Sequence, residues 1–116
     1  MLFGFTDKIW FYREPVDFRR QINGLMLIVA DQLKLDPTSG QIFVFRNKSG
    51  NKIKLLWYDR NGFWLFYKIL QKKKFIFPKF GDATWELTRE QLGWLLSGLD
   101  ITKQKQLPKV TASNFY

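Results

Sequence analysis

The chain has 116 residues, about the length of one domain whose core needs no metal or disulfide staple. It contains no cysteine and no histidine, which excludes disulfides, zinc fingers and every catalytic scheme built on a thiolate or an imidazole. A net charge of +9 and a pI near 9.9 favour a polyanionic partner.

The N-terminal stretch from Met1 to Pro15 is broken by Asp7, Lys8, Arg13 and Glu14 and lacks the continuous apolar run of a signal peptide. Apolar runs such as Leu25 to Ala30 fall far short of the roughly 20 residues that cross a bilayer. The expectation is a soluble, cytoplasmic protein with no membrane partner, and the absence of cysteine fits a reducing compartment.

Residues Lys8 to Tyr12 predict a first strand, closed by Glu14 and Pro15. Asp17 is a suitable N-cap for a helix from about Phe18 to Lys34, along which Phe18, Ile22, Leu25, Val29 and Leu33 recur at helical spacing. Gly24 weakens that helix by about 1 kcal/mol relative to alanine. Asp36, Pro37, Ser39 and Gly40 then form a turn.

Strands follow at about Ile42 to Arg46, Ile53 to Tyr58 and Phe63 to Ile69. A basic hairpin loop, Asn47 to Lys52, joins the first two, and Asn61-Gly62 marks a tight turn between the last two. With an even-numbered loop at that turn, Ile53, Leu55, Trp57, Trp64 and Phe66 share one face, and Leu56, Tyr58, Phe63, Leu65, Tyr67 and Ile69 share the other. Both faces are apolar, so one is expected to pack on the helices and the other to be covered by a partner, a second subunit or the termini.

A further short strand is expected at Phe75 to Phe77, before Pro78. Thr88 and Gln91 have the spacing of a capping box, Leu87 and Leu92 that of a hydrophobic staple, and Leu92, Leu95, Leu96 and Leu99 form the apolar stripe of a second helix ending near Gly98. The fold class is therefore α+β, an antiparallel sheet of four or five strands in a meander of hairpins against two principal helices. Residues 1–102 form one domain, and 103–116 form a basic tail expected to be mobile.

Between Ile42 and Phe77, aromatic rings alternate with cations and Asp59 is the one acid. That mixture suits phosphate neutralisation and base stacking. The candidate nucleic-acid-binding residues are Arg46, Lys48, Lys52, Lys54, Arg60, Lys72, Lys73 and Lys74, with Trp64 as the candidate stacking ring. The competing reading makes the rings core residues and the lysines a solvated surface. Arg13, Arg19 and Arg20 can touch phosphate or pair with Glu14 and Asp17. No catalytic, cofactor-binding or metal-binding residue is assigned. Asp17, Asp36, Asp59 and Asp100 are candidates for a nuclease's metal ligands by residue type alone, and each has a simpler role in a cap, a turn or a helix end.

Three stretches, PVDFRRQINGL from Pro15, DPTSGQIFVFRNKSGNKIKLLWYDRNGFWLFYKIL from Asp36 and LTREQLGWLLSGLD from Leu87, cover most of the chain. They resemble the TnpB accessory proteins of the insertion sequence 66 family of bacterial transposable elements. The resemblance implies a protein needed for transposition, a form of DNA recombination, beside a separate transposase that carries the acidic catalytic residues. It transfers no binding residue to a numbered position. The resulting expectation is a non-catalytic accessory factor that binds DNA, at element ends or non-specifically, while a transposition complex assembles, with homo-oligomers open. The alternative is an adaptor that docks on the transposase through its aromatic sheet face without significant DNA binding of its own.

Overall fold

The computed structural model describes residues 8–104. Five strands, β1 (Ile9–Tyr12), β2 (Ile42–Arg46), β3 (Lys52–Asp59), β4 (Gly62–Ile69) and β5 (Thr84–Leu87), form one sheet in the order β4-β3-β2-β1-β5. Two helices, α1 (Ile22–Ile28) and α2 (Arg89–Leu96), complete an α+β fold.

The β2-β3-β4 meander has the expected register. Asp59 pairs with Gly62, so the turn holds two residues, and Leu55 faces Phe66, Leu56 faces Leu65 and Trp57 faces Trp64. The left-handed backbone of this turn falls on Arg60 (φ 54°) rather than on Gly62. β1 departs from a meander, because it runs parallel to β2, with α1 in the connection, and antiparallel to β5.

Both sheet faces are covered within this one chain, so of the expected covers for the second face, a partner, a second subunit or the termini, the chain itself supplies one. Phe43, Phe45 and Leu56 pack with Leu25, Val29 and Leu33 on one face, whereas Ile9, Phe11, Ile42, Val44, Ile53 and Leu55 pack with Leu92, Leu95 and Ile101 on the other. Alternation along each strand therefore supplies an apolar surface to each helix. The edge strand β4 is the least covered, leaving Trp64, Tyr67 and Ile69 exposed.

The first helix is shorter than its apolar periodicity. Asp17 caps a turn instead: its Oδ1 accepts from the Arg19 N–H at 2.9 Å, while the Arg20 N–H donates to the Asp17 carbonyl at 3.0 Å. The carbonyls of Phe18 and Arg20, which a helix from Phe18 would use internally, receive the ammonium of Lys54 instead. At its other end α1 widens into a π-helical turn, Val29–Leu33, and stops at left-handed Lys34.

The segment Phe75 to Phe77 is not a strand; the fifth strand is Thr84–Leu87. Phe75 donates its N–H to Gly50, and the Phe77 ring stacks on Phe11 at 5.6 Å, so the segment covers the sheet by its side chains. Before α2, the Thr88 hydroxyl accepts from the Gln91 N–H and the Gln91 side chain accepts from the Thr88 N–H, a capping box worth about 1 kcal/mol. Ile101 is buried in the same core cluster as Leu92 and Leu95, and most of the expected tail, 105–116, lies outside the described residues.

Candidate nucleic-acid interface

β1 and β2 run in the same direction, so Arg13 and Arg46 leave the sheet side by side, and the Arg46 Nε donates to the Arg13 carbonyl at 2.6 Å. The hairpin loop between β2 and β3 projects from the same end. Its shape comes from Asn47, whose Oδ1 accepts from the N–H groups of Gly50 and Lys52 and whose Nδ2 donates to Asn51. Gly50, at φ 81°, supplies the left-handed step of this loop. The chain leaving β4 is tied to it by the Leu70 N–H on Asn51 and the Phe75 N–H on Gly50.

These ties enclose an open cleft of about 490 Å³ walled by Arg13, Arg46, Lys48, Lys74 and Lys79, with no carboxylate in its lining. The two arginines shape the wall. Arg46 lies over the Phe77 ring, 5.2 Å from its centroid, and Arg13 donates to the carbonyls of Lys79, Gly81 and Asp82. Burial pushes the Arg46 guanidinium below its usual value, while the nearby Glu14 carboxylate opposes that shift. Lys48, Lys74 and Lys79 are exposed, and among the described residues none has a carboxylate within ion-pair distance. Their ammonium groups remain available to an anion.

The residues singled out in the sequence divide into three groups. Arg46, Lys48 and Lys74 meet at the cleft, with Lys72 and Lys73 exposed on the turn just before it and Lys52 at the start of β3 on the same end of the sheet. Arg60 and Trp64 lie at the opposite end. From Lys52, seven residue steps along β3 reach Asp59, next to Arg60, about 23 Å away, and five steps reach Trp57, opposite Trp64, about 17 Å away. There Arg60 faces Asp59 at 3.9 Å, and the Trp64 ring stacks on Phe66 while its Nε1 donates to Asp59.

Lys54 is a correction, because it is fully buried and cannot meet a phosphate. Its Nζ donates to Phe18 and Arg20 carbonyls at 2.9 and 2.8 Å and sits near the rings of Phe18 and Tyr67. Burial, with repulsion from Lys52 as a smaller cause, lowers its pKa.

Lys79 and the role of Arg13 beside Arg46 were not legible from spacing. Arg13 reaches partners 66 to 69 positions away, and a contact of that span leaves no local pattern. Among the acids, Asp36 and Asp100 each hold a turn through the N–H and hydroxyl of the threonine two residues on. Among the described residues no cluster of three or more potential metal ligands occurs, and no helix is long and apolar enough to cross a membrane.

A family model described as IS66 Orf2 like protein matches residues 7–106. The chain is 40% identical over 101 residues to the uncharacterized protein y4jC of Sinorhizobium fredii, spanning 87% of this chain and 86% of that protein. It is 37% identical over 97 residues to the uncharacterized protein y4hO of the same organism, spanning 84% of each. No solved structure matches.

Proposed function

Because the chain belongs to the IS66 Orf2-like family, we propose that it is a non-catalytic accessory factor of transposition that grips DNA phosphates at the basic end of its sheet. The observation that carries this reading is the cleft with five cationic side chains and no acid in its wall. A phosphate backbone is the polyanion such a surface suits, and the separate transposase of the element supplies the chemistry. Backbone contacts position the protein without reading sequence, so element-end and random DNA are expected to bind alike unless a partner adds specificity.

A fluorescence anisotropy titration with both DNAs across a salt series tests it. Four phosphate contacts give a log-affinity slope of about −3.6 on duplex DNA. The double variant Lys48→Glu and Lys74→Glu should weaken binding of both DNAs and flatten that slope. No binding by the unmodified protein at low salt, or an unchanged slope in the variant, refutes the reading.

The exposed edge strand favours a second reading, docking on the transposase. Among the described residues β4 is the outermost strand of the sheet and carries the exposed Trp64, Tyr67 and Ile69. Association with the transposase that survives high salt and fails in Trp64→Ala would support it. The two surfaces adjoin where Ile69 lies opposite Lys52, and Trp64 stands at the part of the edge farther from the cleft.

A further inference from the structure

Phe80 is 84% exposed, more than any other large apolar side chain among the described residues. A lone exposed phenylalanine is ordinary, but the backbone that carries it is held on both sides. The Arg13 guanidinium donates to the carbonyls of Lys79, before Phe80, and of Gly81 and Asp82, after it, at 3.0 to 3.2 Å. The Arg13 N–H adds a bond to Ala83 at 2.7 Å. Gly81 adopts φ 99°, and a Cβ there would stand 3.0 Å from the Trp85 ring, whose Nε1 donates to Asp82 at 2.7 Å. The loop is thus locked while its ring is presented to solvent. A preset ring loses little freedom when a ligand covers it.

The surroundings of this ring indicate what would cover it. Ile76, Phe77, Pro78 and Lys79 form a ridge with the basic cleft on one side and a hollow of about 450 Å³, containing Phe80, Asp100 and Thr102, on the other. The Asp100 carboxylate, kept ionised by the Thr102 hydroxyl and N–H, disfavours a phosphate in the hollow. The cations across the ridge favour one in the cleft. A ligand that spans the two therefore combines an anionic strand with a flat uncharged group one step away.

Building on the phosphate-binding reading, we infer that Phe80 stacks an unpaired nucleobase of single-stranded DNA whose phosphates lie in the Arg46, Lys48, Lys74 and Lys79 cleft. Inside a closed duplex the base faces are already stacked on each other, so the ring gains a partner only where the strands are open. The protein then favours melted or single-stranded segments over intact duplex.

Anisotropy with a roughly 20-nucleotide oligothymidylate and a duplex of equal length tests this on the full chain. Phe80→Ala should weaken oligothymidylate binding by about fivefold to a hundredfold and leave duplex binding within about twofold, whereas Phe80→Trp should keep both. The double variant Lys48→Glu and Lys74→Glu should weaken both. Equal oligothymidylate affinity for Phe80→Ala and the unmodified chain overturns the stacking role and leaves phosphate binding standing. Absence of binding by the unmodified chain to either DNA overturns both readings together.

Discussion

The Nζ of Lys54 donates to the carbonyl of Phe18 at 2.9 Å and lies 4.9 Å from the centroid of the same residue's ring. A charge on the central part of the sheet is thereby buried against the turn that precedes α1. The ammonium satisfies two carbonyls that no helix hydrogen bond uses, and the chain enters α1 four residues later than apolar spacing alone implies. A side chain whose type suggests a DNA contact is instead a structural pin.

Lys54→Ala should therefore lose about 3 kcal/mol of stability, from the emptied volume and from two buried carbonyls left without their donor. Urea denaturation reads this as a lower midpoint at unchanged slope. The same variant, if folded, should keep the salt dependence of DNA binding. A wild-type midpoint would mean that the 18–20 turn does not rely on the ammonium.

Charges at the far end of the sheet should be silent in DNA binding. Arg60 lies about 23 Å from the cleft, and charges are screened over about 10 Å at 0.1 M salt. Arg60→Glu is expected to leave affinity within about twofold, whereas Lys74→Glu alone lowers the salt slope by about 0.9. Equal losses from the two variants would show that the cations act as a diffuse cloud rather than as one site.

Asp17 predicts a pH effect. Hydrogen bonds from the Arg19 side chain and N–H, with its charge, hold the Asp17 carboxyl down to about 2 from an ordinary 3.8. A depressed folded-state pKa means that the ionised form contributes stability above pH 3.8, and that this contribution is lost as pH falls through about 2. Asp17→Asn keeps an acceptor for the turn and removes the titration. Urea midpoints measured down from about pH 5 should fall less steeply for this variant than for the unmodified chain, the difference opening below pH 3.8. Parallel curves would exclude the coupling to Arg19.

What the sequence by itself determined was local. Alternating residues and a two-residue turn set Trp57 opposite Trp64, and the Thr88 to Gln91 spacing set the start of α2, because backbone pleat and capping geometry act between near neighbours. Tertiary structure decided the rest: that β1 lies between β2 and β5, that Lys54 points inward, and that Arg13, Lys48, Lys74 and Lys79 share one cleft while Arg60 and Trp64 stand at the other end. Composition counts cations but does not place them. Their grouping depends on which strand ends the closed sheet brings together, across separations that no periodicity records.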